Sequence, residues 1–168
     1  FVQAVLGAPV AIAARGRHAL ALRQDGSVRA WGANRYGQLG DGTQSDRRTP
    51  VTVPGLAGVT KVAAGFGHSV AMRGDGAVWT WGLDNSGQLG RTSTQACEKP
   101  GGGTATPCSL APARAGAHEG AAAVVAGGAH TIVVRGDGAV DVFGANYSGQ
   151  LGRGTPVTPT TLDRKSTR

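Results

Sequence analysis

The 168-residue sequence has few charged residues, few aromatic residues and no long hydrophobic run. Only 16% of the residues are charged and 5% are aromatic, whereas 40% are hydrophobic. A disordered chain is excluded, because such chains are rich in charge and too poor in apolar surface to bury a core. No stretch approaches the roughly 18 consecutive apolar residues that a membrane-spanning helix requires, so we expect no membrane span.

Lysine is scarce as well. Lys61, Lys99 and Lys165 are the only lysines among 17 basic residues, and the formal net charge is +7. The arginines are scattered along the chain rather than gathered in one block. Scattered charge is typical of a solvated surface and not of a phosphate-binding face, so we expect no nucleic-acid partner.

Cysteine occurs twice, at Cys97 and Cys108. The ten residues between them, EKPGGGTATP, form a Gly/Pro-rich loop whose ends can meet easily. The two residues therefore predict a disulfide and, with it, an extracellular, periplasmic or cell-surface location. Two free thiols in a cytoplasmic protein are the first alternative, and a two-cysteine metal site is the second.

Glycine, in contrast, is abundant, and nine glycines recur in a phrase that the sequence repeats three times. The 29 glycines exceed the usual share of roughly 7%. Residues 31–40 read WGANRYGQLG, residues 81–90 read WGLDNSGQLG and residues 143–152 read FGANYSGQLG. Such self-similarity is the signature of a repeat architecture.

Each copy of the phrase follows a histidine and an Asp-Gly pair at constant spacing. The aspartate lies 7 residues after the histidine, and the last glycine of the phrase lies 22 residues after it. The positions that recur are His18, His68 and His130; Asp25-Gly26, Asp75-Gly76 and Asp137-Gly138; Trp31, Trp81 and Phe143; and Leu39, Leu89 and Leu151.

Each repeat predicts four short antiparallel strands. Apolar runs at 10–14, 59–65 and 122–127 form the first strand, and the segment led by each histidine forms the second. Asp-Gly then predicts a hairpin with a type I′ turn, since both residues tolerate positive φ. The Trp or Phe segment is the third strand, and residues 49–53 predict an outer fourth strand in the first repeat. A repeated four-stranded meander is the form of a β-propeller, whose blades must stack to bury both faces.

These residues resemble the repeat of the regulator of chromosome condensation family, and in particular its bacterial, alpha-tubulin-suppressor-like members. The resemblance extends from about Ala4 to Thr155, with Phe143 in place of Trp and Leu83-Asp84 in place of Ala-Asn. It implies an all-β, seven-bladed propeller, of which this chain, read as a fragment, carries three blades. We expect the remaining blades to lie outside the fragment; association of several chains is the alternative.

The repeats predict the domain boundaries. The first covers residues 4–53, the second covers 54–115 with the cysteine loop inserted, and the third covers 116–162. Residues 163–168, DRKSTR, are expected to be a non-native tail.

No catalytic, cofactor or metal site is expected. The three repeat histidines occur once per blade, without a recurring carboxylate or cysteine at ligand spacing, so we assign each to a structural bond with a backbone carbonyl at a turn. His118 stands alone in a loop and receives no role. The Trp or Phe ring is expected to pack between blades, and the leucine of the phrase to close the blade edge.

The function expected is that of a non-enzymatic scaffold, secreted and bacterial, that binds a partner protein. Loops on a rigid framework commonly carry binding specificity, and the segments after each phrase differ between repeats. Arg47, Arg48 and Lys99 are the loop charges we select as candidate contacts. The alternative, implied by the family resemblance, is guanine-nucleotide exchange on a small GTPase.

Overall fold

The structure is a computed structural model that describes residues 8–98, 103–116, 118–152 and 154. Within these residues the chain forms twelve β-strands and no helix. No helix there is long and apolar enough to cross a membrane. The strands are β1 (Pro9–Arg15), β2 (His18–Arg23), β3 (Val28–Gly32), β4 (Arg47–Thr52), β5 (Val59–Ala64), β6 (His68–Arg73), β7 (Val78–Leu83), β8 (Gln95–Cys97), β9 (Thr106–Arg114), β10 (Ala121–Ala126), β11 (His130–Arg135) and β12 (Val140–Gly144).

The strands form three antiparallel sheets, which we call blades 1 to 3. Blade 1 has the order β1-β2-β3-β4, blade 2 the order β5-β6-β7-β9-β8 and blade 3 the order β10-β11-β12. The predicted all-β class of repeated antiparallel blades is therefore confirmed. Blade 2 has one strand more than predicted, because the cysteine-containing insertion adds β8 at its outer edge. Residues 155–162, which end the third predicted repeat, and the expected tail 163–168 lie outside the described residues, as do residues 4–7 of the first repeat.

The Asp-Gly hairpins differ from the predicted type I′ turn. Only the glycine has positive φ, +74° at Gly26, whereas Asp25 has negative φ. Gly26 N donates to Arg23 O at 3.0 Å and Arg23 N to Ser27 O at 2.9 Å, which defines a three-residue loop with a glycine bulge. This loop is less strained, because it places only glycine in the left-handed region and leaves Asp25 Oδ1 free to accept the Ser27 amide at 3.0 Å.

The hydrophobic core lies between the blades. One cluster joins Leu20, Val28 and Leu39 of blade 1 to Ala71 and Trp81 of blade 2. A second joins blades 2 and 3 and contains Val70, Met72, Val78, Val133 and Phe143. Successive first strands are also in contact, β1 with β5 and β5 with β10, so they line one side of the stack. No blade buries both of its faces without a neighbour, as expected for a propeller.

Candidate protein-interaction face

One end of the blades carries the long loops that differ between repeats, and we call this end the loop face. It consists of the turns between first and second strands (16–17, 65–67 and 127–129), the loops after each third strand (33–46, 84–94 and 145–152) and the end of the blade 2 insertion (98 and 103–105). At the opposite end lie the Asp-Gly hairpins, which are alike in all three blades. Binding specificity is therefore to be sought on the loop face.

The repeated phrase folds the start of each loop onto itself. In blade 1, Gln38 Oε1 accepts the Tyr36 amide at 2.9 Å and Asn34 Oδ1 accepts the Leu39 amide at 3.0 Å. The same two bonds recur in the other blades, from Gln88 and Asp84 in blade 2 and from Gln150 and Asn146 in blade 3. The constant Gln and Asn/Asp thus shape the loops through their side-chain oxygens. Sequence reasoning overlooked both, although their recurrence in every copy was visible.

The aromatic residue of the second and of the third phrase packs against the last glycine of the preceding phrase. A Cβ on Gly40 would lie 2.8 Å from Trp81 Nε1, and one on Gly90 would lie 2.7 Å from Phe143 Cε2. Trp81 is fully buried and its Nε1 donates to Gln38 O at 2.8 Å. Trp31, on the side of blade 1 away from blade 2, is half-buried. Leu39 and Leu89 are fully buried, and Leu151 is half-buried.

Two of the repeat histidines form hydrogen bonds between blades. His18 Nε2 lies 2.9 Å from Ser69 Oγ, and His68 Nε2 lies 3.1 Å from Thr131 Oγ1. The partner is therefore a hydroxyl of the next blade and not the backbone carbonyl expected from the sequence. Each hydroxyl donates onward to the phrase of the preceding blade, Ser69 to Gln38 O at 2.7 Å and Thr131 to Gln88 O at 2.8 Å. His130, in blade 3, is half-buried.

This arrangement keeps His18 and His68 neutral. Because each hydroxyl uses its hydrogen on a carbonyl, it accepts the hydrogen carried by the histidine Nε2. Burial lowers the pKa of His18 to about 4 and that of His68 to about 3. Both side chains are buried and bonded between blades, which is the geometry of structural groups. No cluster of three or more His, Cys, Asp or Glu side chains in the described part of the chain is placed to hold a metal ion.

His118 is not an isolated loop residue, as the sequence suggested. It is buried in the connection between blades 2 and 3, where its Nδ1 lies 2.8 Å from Asp141 Oδ2. Its ring stacks on Phe143, with centroids 4.9 Å apart. Asp141 stands in the third strand, where Arg29 and Trp79 stand in the other blades. The pairing therefore belongs to this blade alone, and no repeat pattern could have revealed it.

The two cysteines form a disulfide between β8 and β9, with an S–S distance of 2.03 Å. Both are buried, and the resulting hairpin reaches back to blade 1. Gln44 Nε2 donates to Glu98 O at 3.1 Å and to Arg35 O at 2.7 Å, and Gly42 N donates to Leu110 O at 3.0 Å. The insertion in blade 2 and the loop of blade 1 thus form one continuous, internally bonded part of the loop face.

The three selected loop charges have different environments. Arg47 and Arg48 begin β4 and do not lie in the preceding loop. Arg47 is occupied, because its Nε contacts Asp41 Oδ2 at 2.7 Å, whereas Arg48 is exposed. Lys99 lies outside the described residues. A contact between any of the three and a partner stays a prediction.

The loops after the third strands of blades 1 and 2 carry different charges at two corresponding positions. In blade 1, Asn34 Nδ2 donates to Asp41 Oδ1 at 3.0 Å. In blade 2 the corresponding residues are Asp84 and Arg91, and Asp84 Oδ2 accepts the Ser93 hydroxyl. Burial raises the pKa of Asp84, and the attraction of Arg91 partly opposes this shift. Asp84 thus stands where blade 1 has Asn34, and seven residues later Arg91 stands where blade 1 has Asp41. The positive charge of Arg91 therefore compensates the negative charge that Asp84 adds.

Comparison with known proteins identifies the repeat. Two models of the Regulator of chromosome condensation (RCC1) repeat match the sequence, one at residues 25–72 and 75–134 and the other at residues 10–38, 59–88 and 121–150. The first alone covers more than half of the chain. The chain belongs to the RCC1 repeat family.

Similarity to curated members of the RCC1 repeat family is local. The chain is 45% identical over 58 residues to E3 ubiquitin-protein ligase HERC2 of Homo sapiens, and equally to that of Mus musculus. The matched segment is 33% of this chain and 1% of either ligase.

Solved structures show the same fold over nearly the whole chain. A chain in the crystal structure of Kap60 bound to yeast RCC1 (Prp20) superposes with a TM-score of 0.81 at 20% identity, over 95% of this chain and 37% of the other. The crystal structure of human WBSCR16 gives 0.77 at 24%, over 96% and 38%. Prp20p from Saccharomyces cerevisiae, described with its binding to Gsp1p and histones, gives 0.81 at 20%, over 95% and 38%. This RCC1-repeat chain thus spans less than two fifths of the chains it resembles.

Proposed function

We propose that this chain is part of a non-enzymatic β-propeller whose loop face binds a partner protein in an oxidising compartment. One observation carries the proposal: the disulfide hairpin of blade 2 is bonded to the loop of blade 1, through Gln44 and Glu98. A loop that is already ordered loses little conformational entropy when it meets a partner, which increases affinity. The repeats themselves use their polar groups internally, so the unlike loops are left to supply recognition.

Two further features support the same function. The yeast propeller of the same family is described as bound to Kap60 and as binding Gsp1p and histones, which are all proteins. The disulfide supports secretion or surface display, because such bonds persist mainly in oxidising compartments. Titration of the folded, unreduced chain should therefore detect no free thiol, and reactive thiols in protein purified from its own organism would contradict this localisation.

Site-specific photo-crosslinking tests the binding role. A photoreactive amino acid is placed at Ser45 or Glu98, which are exposed on the loop face, and at Gln24 in an exposed hairpin at the opposite end as the matched control. We expect one protein to be crosslinked from the first two positions and not from the third. Equal crosslinking from all three, or from none, would contradict the proposal. Nucleotide release from a small GTPase above background would favour the exchange-factor alternative instead.

A further inference from the structure

A cleft of about 640 Å³ opens on the loop face where blade 1 meets blade 2. Blade 1 contributes Arg17 from its first turn and Arg35, Tyr36 and Asp46 from its long loop, and blade 2 contributes Phe66. The volume falls in the range of about 300–1,000 Å³ that is usual for ligand-binding clefts.

The cleft carries an excess of positive charge. Arg17 and Arg35 are exposed, and neither forms an ion pair with a carboxylate within the described residues. Arg15 does not line the cleft, but its guanidinium lies nearby, 5.1 Å from the centre of the Phe66 ring. Elsewhere arginines contact acidic side chains, as in Arg23–Asp25, Arg47–Asp41, Arg114–Glu119 and Arg135–Asp137. The cleft thus offers donors for carboxylates that the chain itself does not supply.

Two aromatic rings lie among these charges and are held by rigid backbone. The Phe66 side chain is 64% exposed, but its backbone is fixed on both sides. Its amide donates to Gly128 O at 3.0 Å, and its carbonyl oxygen packs against Gly16 so closely that a Cβ added there would lie 2.7 Å away. Tyr36 is held by the bond from its amide to Gln38, and the Arg35 guanidinium lies 5.7 Å from its ring centre. Rigidly displayed aromatic and arginine side chains are the types that dominate binding energy at protein interfaces.

We propose that this cleft binds an acidic segment of the partner protein that carries an aromatic side chain flanked by carboxylates. The aromatic side chain packs on Phe66 and Tyr36, and the carboxylates accept hydrogen bonds from Arg17 and Arg35. Asp46 is the one acidic side chain lining the cleft within the described residues, and its Oδ1 accepts the Asn34 amide at 2.8 Å. A carboxylate there suits a peptide, which brings its own N–H donors, better than a phosphate chain, which brings only negative charge. The inference rests on the proposed function and assigns the partner's chemistry.

Selection of random twelve-residue peptides on the oxidised full chain tests this assignment. We expect enriched peptides to combine Asp or Glu with Trp, Tyr or Phe. Their affinity should fall about tenfold or more in the double variant Arg17→Ser/Arg35→Ser and in Phe66→Ala, and it should weaken with added salt. The matched control Lys61→Ser/Arg114→Ser removes the same charge outside the cleft and should leave affinity unchanged. Circular dichroism and urea midpoints verify that each variant is folded.

Enrichment of peptides without acidic residues would overturn the assignment, and so would equal peptide binding by the cleft and control variants. A third contrary result is a single-stranded oligonucleotide that binds more tightly than the selected peptides and whose binding is abolished in the cleft variants. The crosslinking experiment separates this outcome from failure of the proposed function. A partner still crosslinked from Ser45 and Glu98 in Arg17→Ser/Arg35→Ser would support the binding role and overturn the assignment of the cleft. Absence of any crosslinked partner would overturn both.

Discussion

His18 Nε2 lies 2.9 Å from Ser69 Oγ, a hydroxyl 51 residues further along the chain and in the next blade. Since Ser69 also donates to Gln38 O at 2.7 Å, one side chain of blade 2 bonds two groups of blade 1. The corresponding contact of His68 with Thr131 joins blades 2 and 3. The stack is therefore held by specific buried hydrogen bonds as well as by the apolar clusters.

Removing the Ser69 hydroxyl should weaken the contact between blades 1 and 2. Ser69→Ala leaves a buried imidazole N–H and a buried carbonyl with fewer partners, and we expect a loss of about 1–3 kcal/mol in the free energy of unfolding. Ser69→Thr should retain most of the stability, because threonine occupies this position in blade 3. Urea denaturation measures both variants. Equal midpoints for Ser69→Ala and the unmodified chain would show that the bond contributes nothing.

Acid should destabilise the chain through its neutral histidines. The folded pKa values of His18 and His68 are lowered by burial to about 4 and about 3, while an unfolded histidine titrates near 6.5. Between pH 6.5 and about 4 the unfolded state binds protons that the folded state does not. Stability is thus fully present above pH 6.5 and falls below it, by as much as about 1.4 kcal/mol per pH unit for each histidine.

Urea midpoints between pH 8 and pH 4 measure this dependence. Asp84 acts in the opposite direction, because its raised pKa favours the folded state as the pH falls. The variant His68→Gln, which keeps an N–H near Thr131 but cannot titrate, should show a shallower decline. An identical slope in the variant would contradict the assignment to His68.

The glycine that ends the phrase should tolerate no side chain. Gly40 has φ +71°, and a Cβ added there would lie 2.8 Å from Trp81 Nε1. Gly42 has a similar φ of +81°, but a Cβ added there would have no neighbour within 4 Å. Gly42→Ala should cost about 1 kcal/mol for the left-handed backbone. Gly40→Ala should cost about 2 kcal/mol more, because the Trp81 ring must move. Thermal or urea unfolding compares the two variants, and equal losses would refute the steric explanation.

Exchanging the acid and amide of the two phrases should have unequal effects. Asn34→Asp places a second carboxylate 3.0 Å from Asp41 in a part-buried site, and we expect a loss of about 3 kcal/mol. Asp84→Asn removes a carboxylate that burial disfavours and should change stability by about 1 kcal/mol or less. Urea denaturation at pH 7 measures both variants. A larger loss for Asp84→Asn would mean that its attraction to Arg91 outweighs the cost of burial.

The disulfide should stabilise both blade 2 and the loop of blade 1. Cys97→Ala/Cys108→Ala removes a bridge that closes a ten-residue loop, and we expect a loss of about 3 kcal/mol. Because Gln44 is bonded to Glu98, hydrogen exchange should also quicken at residues 41–44 of blade 1. The exposed hairpin 24–27 is the internal control. Exchange that quickens only within β8 and β9 would show that the hairpin does not support blade 1.

Much of the fold was readable from local pattern. Asp-Gly after an apolar run located each hairpin, but its type was mispredicted, because a pair of letters does not say that only the glycine becomes left-handed. The Cys97–Cys108 bridge followed from two residues near in sequence. The partner of His18 did not, because Ser69 is an ordinary residue until folding places it across the blade interface. Arg47 was selected for its charge, which in the structure is directed to Asp41.

The sequence by itself determined the first three strands of each described blade, their order and the loops that differ between repeats, because repeat spacing and hairpin signals act over a few residues. The tertiary structure alone decided how those blades are joined and where a ligand could enter. Thr131 and His68, which form a hydrogen bond, are 63 residues apart in the sequence, and Phe66 and Arg17, which line the same cleft, are 49 residues apart. Such contacts depend on how twisted sheets stack, because the packing of one blade fixes which side chains of the next come within hydrogen-bonding distance.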